Sequence, residues 1–252
     1  MTDVASDQDQ AAAGVATDAS ASTAEERPGV ASRFGPLTPL RVVVLLVAVA
    51  FLAGTVGWAV SERTRDPLNE VDVGFMQDMG YHHDQAVQMS LLLLAKPDVP
   101  RDLRGFAQEI IMDQRFEQGV FNAILDRFGY PAEPGETVMD WMDTPLPRDS
   151  MEGLATDEQM QQLRDAEGSE AQALWISLMS EHHLAGLHMA DWAARHGHDA
   201  TVRNLARSMV RSQRSEVLDL DRFRRREGLP LAEGFGDPTK DQRLNPLSLA
   251  DG

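Results

Sequence analysis

Four of the seven histidines in this 252-residue chain stand as two adjacent pairs, His82 with His83 and His182 with His183. Each pair sits in the same frame, with a Met three residues before its first His (Met79, Met179) and another seven residues after it (Met89, Met189). Imidazole combined with thioether is a ligand set for a soft cation such as Cu(I); it suits Mg and Ca poorly and is unusual for Zn. One Met at helical spacing is ordinary core filler. The same two Met positions written twice around the same His pair favour metal binding, with copper first and another transition metal as the alternative. The chain has no Cys, which removes thiolate sites, disulfides and cysteine nucleophiles.

Helical periodicity decides where these side chains point. At about 100° per residue, Phe75, Met79, Ala86, Met89 and Leu93 fall within about 60° of His82, with His83 at the edge of the stripe. Trp175, Met179, His182, Gly186, Met189 and Ala193 form the equivalent stripe a hundred residues on. Both stripes read as interior faces, and the small residues at 86 and 186 let a neighbouring helix come close. A buried imidazole without partners costs about 1–3 kcal/mol. A second pair of matching segments, "AQEIIMDQRFE" from Ala107 and "ARSMVRSQRSE" from Ala206, offers them: Gln114 and Glu117 in one, Gln213 and Glu216 in the other. This also frames the bland alternative, a structural or signalling bundle whose His, Gln and Glu layer only specifies packing. A redox enzyme using the bound metal is a third reading. A di-iron carboxylate centre requires Glu-x-x-His, and the residues three before the four histidines are Met79, Gly80, Met179 and Ser180. His188, His196 and His198 read as surface residues, the last two also as a His-x-His contribution to a second cation site. Met139, Met142 and Met151 lie in a Pro-interrupted loop expected to fold as a flap over the bundle.

The elements that must position these residues are four long helices in two similar hairpins. The first is expected from Asn69 to Ala95, the second from Arg101 to Phe128 with Gly129 closing it, the third from Ser169 to His196 before Gly197, and the fourth from Asp199 to Glu227 before Gly228. Thr156 and Gln159 form a capping-box pattern for a short helix ending near Ala166. No segment alternates like a strand. The fold class is all-α, an antiparallel four-helix bundle over residues 66–228 made from two repeated hairpins, because either hairpin alone exposes an apolar stripe.

Both flanks differ from the bundle. Residues 1–39 are rich in Ala, Ser, Asp, Gln and Thr and are expected to be a disordered acidic tail. Residues 42–60 carry no charge over 19 positions, which as a helix spans roughly the 30 Å of a hydrocarbon core. Residues 40–61 therefore read as a retained transmembrane anchor in preference to a cleaved signal, since a signal's apolar region is usually shorter and "GWAVSE" is a poor small-residue cleavage site. Arg27, Arg33 and Arg41 before the span against Arg63 and Arg65 after it lean toward an inside N-terminus and an extracytoplasmic bundle. Residues 229–252 mix Pro, Gly and charge and are expected to be a flexible tail. A formal charge of −17 argues against nucleic acid as a partner and is compatible with attracting cations; a homo-oligomer stays open.

The strings "FMQDMGYHHDQAVQMS", "AQEIIMDQRFEQ", "WISLMSEHHLAGLHMA" and "ARSMVRSQRSE" resemble the bacterial family known as domain of unknown function three hundred and five. The resemblance covers about residues 70–227 and rests on the order Met-His-His-Met, Gln-x-x-Glu, repeated. It implies a ferritin-like four-helix bundle, commonly exported or membrane-anchored, with copper bound by some members through Met and His. The ligands it implies here are Met79, His82, His83, Met89, Met179, His182, His183 and Met189. The leading expectation is a membrane-anchored, non-catalytic copper-binding protein serving sequestration or transfer.

Overall fold

The computed structural model describes residues 38–63 and 67–249. The tail expected over residues 1–39 lies outside the described residues except for its last two. Two compact units are present, the first ending at Thr64. In it, helix α1 (Pro39–Arg63) carries exposed apolar side chains on every side from Leu40 to Val60. It is long and apolar enough to cross a membrane.

The second unit is a four-helix bundle. Helix α2 (Glu70–Leu94) starts in a capping box: the Asn69 side chain accepts the Asp72 N–H, and Asp72 accepts the Asn69 N–H. Helix α3 (Arg101–Phe128) follows a short turn and ends on Gly129 in the left-handed region at φ 78°, which L side chains rarely adopt. Helices α5 (Gly168–His196) and α6 (Ala200–Arg226) make the second hairpin, with Asp199 capping α6. All four lie within a residue or two of the positions read from periodicity. Helix α2 packs on α3, α5 on α6, and α2 on α5.

Helices α2 and α5 run antiparallel. Asn69, at the start of α2, donates to the His196 carbonyl at the end of α5, while Gln172, near the start of α5, donates to the Asp98 carbonyl beyond the end of α2. Buried Asp72 strengthens the first junction by accepting the N–H groups of His198 (2.9 Å) and Asp199 (3.0 Å). Because the pairing is antiparallel, the two His pairs meet at mid-height and the apolar core divides around them. One cluster holds Met79 and Met189 and the other Met89 and Met179.

The connection between the hairpins is folded. Strands β1 (Thr137–Val138) and β2 (Leu146–Pro147) pair antiparallel at its tip; two residues each is too short for alternation to show in sequence. Buried Asp78 on α2 accepts the Met139 N–H and the Trp141 indole N–H, both at 2.7 Å, and Gln85 exchanges two hydrogen bonds with the Ala155 backbone. Seven residues apart on α2, these two anchors hold the loop down on either side of His82. Met139, Met142 and Met151 are buried beneath it, so the loop is the expected flap. Helix α4 (Asp157–Asp165) follows with the expected Thr156/Gln159 capping box.

The segment expected to be a flexible tail instead packs along the bundle as far as residue 249. Leu229 and Leu244 are buried, the Ala232 N–H reaches the Ser177 hydroxyl, the Ser248 N–H reaches Asp191, and the Leu244 carbonyl accepts from Arg214. Short 3₁₀ turns capped by Asp237 and Asp241 carry no long-range periodicity. Isolated side-chain anchors hold the segment, and periodicity has no means of registering them.

Candidate metal centre

The four paired histidines and Met79, Met89, Met179 and Met189 are all fully buried, with 0% exposure. The rings of His82 and His182 stack at 3.6 Å between centroids, 28° apart, where α2 crosses α5. His83 and His183 point outward from this crossing toward the flanking helices. His83 Nε2 lies 2.8 Å from the Glu117 carboxylate of α3, and His183 Nε2 lies 2.5 Å from the Glu216 carboxylate of α6. The two hairpins thus build equivalent contacts. Asp113 on α3 feels both carboxylates: burial raises its pKa first, and the charges of Glu216 and Glu117 raise it further.

Hydrogen bonding fixes the tautomers. A carboxylate offers only lone pairs, so the Nε2 atoms of His83 and His183 carry the protons they donate. His182 Nε2 lies 2.8 Å from the His82 backbone carbonyl, which also only accepts. When these three rings are neutral, each has its lone pair on Nδ1, and none of those Nδ1 atoms has a hydrogen-bond partner. His82 makes no well-aligned hydrogen bond at either ring nitrogen, and the Glu152 backbone is close enough to favour its charged form slightly against the burial. Burial pushes the His82 and His182 imidazoles well below the ordinary histidine range, and the neighbouring imidazoles push the same way. Both are therefore neutral at pH 7 and keep a lone pair for a cation.

The Gln residues expected to satisfy this layer do not. Both amide atoms of Gln114 and the carbonyl of Gln213 are buried without partners, while Glu117 and Glu216 take the histidines. Gln213 does explain Gly186, since a Cβ there would collide with the Gln213 amide, so the small residue admits the neighbouring helix. His188 lies outside the layer, half exposed and bonded to Glu152. His196 lies against the Trp192 ring, 4.5 Å between centroids. Among the described residues no three His, Asp or Glu side chains are arranged to hold a metal by themselves. A cation here would need the thioethers.

The eight Met and His residues do not form one ring. Met89 lies two turns beyond His82, about 10 Å along the axis, and shares its apolar cluster with Met179 of the antiparallel helix. Met79 shares the other cluster with Met189. The four thioethers therefore fall into two pairs, one on each side of the stacked imidazoles, each joining the Met before one histidine with the Met after the other.

Residues 72–224, more than half of the chain, match the family described as Domain of unknown function (DUF305). The chain belongs to the DUF305 family. A DUF305 protein from Streptomyces coelicolor is 32% identical, with a TM-score of 0.60 over 65% of this chain and 97% of that one. A DUF305 fragment from Deinococcus radiodurans is 26% identical, with a TM-score of 0.54 over 64% and 99%. CopM in its Cu(I)-bound form is 23% identical, with a TM-score of 0.47 over 62% and 96%. No curated protein matches the sequence. In this DUF305 chain the flap contacts that no local sequence pattern signals are those of Asp78 and Gln85 and of Gly153, where a Cβ would collide with Ala185. They are made by single polar or small residues whose partners lie at least 61 residues away in the two hydrogen-bonded cases.

Proposed function

We propose that this protein binds Cu(I) inside its bundle, through Met79, Met89, Met179, Met189 and the four paired histidines, and sequesters or transfers the ion without chemistry of its own. The observation that carries the reading is the set of buried imidazole nitrogens without partners at the seam of two apolar clusters that each contain a thioether pair. A layer serving packing alone would leave those atoms uncompensated at about 1–3 kcal/mol each. Cu(I) accepts electron density from neutral imidazole and thioether and needs no anionic ligand. The Glu117 and Glu216 contacts orient His83 and His183 as outer hydrogen-bond partners orient metal-ligating imidazoles.

The proposal extends to location. Helix α1 serves as a membrane anchor and the bundle is extracytoplasmic, in line with the three Arg residues before the span and two after it.

The test is competition with a chromophoric Cu(I) chelator, using the full chain in detergent. Met79→Leu with Met179→Leu is expected to cost less than about 1.5 kcal/mol of stability and to weaken Cu(I) at least tenfold, or about 1.4 kcal/mol. Unchanged Cu(I) affinity in that variant would leave a His-lined bundle whose thioethers only fill space.

A further inference from the structure

The two ends of the bundle core are not alike. The cluster on the flap side contains seven Met among its buried residues (76, 79, 139, 142, 151, 189 and 209) against five Leu, whereas the opposite cluster contains three Met against six Leu. Ordering a buried Met costs more side-chain entropy than ordering a Leu of similar volume, so Leu is the default where only volume is needed. Three of the seven come from the flap, whereas α4 and the start of the C-terminal segment, which cover the other end, bring Met160 with Leu163 and Leu229.

The flap is placed with unusual care for a connection. Met139 holds a left-handed backbone at φ 59°, unfavourable for a residue with a side chain. Its N–H is fixed by the carboxylate of Asp78, the residue next to Met79. Twelve residues on, buried Met151 is followed by Gly153 at φ 80°, where a Cβ would collide with Ala185 and lie 3.2 Å from His82 Nε2. The flap thus closes directly over His82, with the backbone of Glu152 and Gly153 against a ring that makes no well-aligned hydrogen bond at either nitrogen.

We infer that Met139, Met142 and Met151 of the flap, with Met79, Met189 and His82, form a thioether-rich site for a soft monovalent cation, tighter than the thioether pair at the opposite end. This rests on the reading that the bundle binds Cu(I), and deepens it by making the two ends unequal. The flap is then a ligand-bearing element, and release from this end requires it to lift while the other end stays closed.

Cu(I) is titrated into the full chain in detergent against a chelator, with X-ray absorption at one equivalent to count sulfur neighbours. The parent is expected to show two affinities and at least two sulfurs on the first ion. Met139→Leu/Met142→Leu/Met151→Leu is expected to lower the tighter affinity at least tenfold, remove at least one sulfur and leave the weaker affinity within twofold. If that variant loses its helical circular dichroism, Met139→Leu and Met151→Leu are tested singly, each with an expected loss of at least threefold. Unchanged tight binding in the flap variants, while Met79→Leu/Met189→Leu weakens it, overturns the flap site and leaves the bundle reading standing. Unchanged binding in both sets overturns the flap site and the Cu(I) reading together.

Discussion

At the residue scale, the chemistry turns on where three protons sit. The Glu117 and Glu216 carboxylates and the His82 carbonyl require Nε2–H at His83, His183 and His182. Nitrogen-15 shifts of these imidazoles in their neutral form without metal should therefore report the Nε2–H tautomer at all three; an Nδ1–H signal would remove the lone pairs the proposed site uses. Glu117→Gln replaces an obligate acceptor with a group that can also donate, and a mixed His83 tautomer is the expected outcome. The interior position of the histidines was legible because 3.6-residue periodicity places Met79, His82 and Met89 on one stripe. Which acid or amide they meet was not. Gln114 and Glu117 lie one turn apart on the same helix, and the choice between them depends on how α3 is rotated against α2, which no local pattern specifies.

At the element scale, the flap has its own titration. A network of Glu152 with His188 and of Arg243 with Glu152, Glu181 and Asp241 ties it to α5 and to the C-terminal segment. The hydrogen bond to Glu152 raises the His188 pKa above 6.5; burial and Arg243 oppose it, and Asp191 adds to it. The same bond lowers the Glu152 pKa below 4.5, with Arg243 adding to it and burial opposing. The His188 contribution is complete below 6.5 and is lost as pH rises through the raised value. The Glu152 contribution is complete above 4.5 and is lost as pH falls through the lowered value. The tie is therefore fully made between about 4.5 and 6.5. Amide exchange at residues 150–155, corrected for intrinsic base catalysis, should quicken as pH rises above 6.5 in the parent and show no such step in His188→Gln. The helices and the α4 capping box were legible because their signals are contiguous. The flap anchors and the C-terminal segment were not, since Asp78, Gln85 and Arg243 act on partners distant in sequence.

At the scale of the whole molecule, α1 and the bundle pose separate questions. A helix apolar on all sides has its lowest free energy in lipid, so the chain is expected to remain in the membrane fraction through salt and carbonate washing; a soluble product beginning near Ser61 would show a cleaved signal instead. Within the bundle, Asp72 joins the start of α2 to the α5–α6 turn, and Asp72→Ala strands three N–H groups, those of Asn69, His198 and Asp199. A loss of about 2–3 kcal/mol in chemical denaturation is expected. That clasp also bears on how the chain acquires its structure. Each hairpin closes through contacts near in sequence, but the clasp joins groups 126 and 127 residues apart, a connection whose loop-closure entropy is spent late. The hairpins are then expected to form before they dock, and the stacked histidines only on docking. Asp72→Ala should accordingly leave the refolding rate nearly unchanged and speed unfolding, and a cation held between α2 and α5 should slow unfolding without hastening the first hairpin.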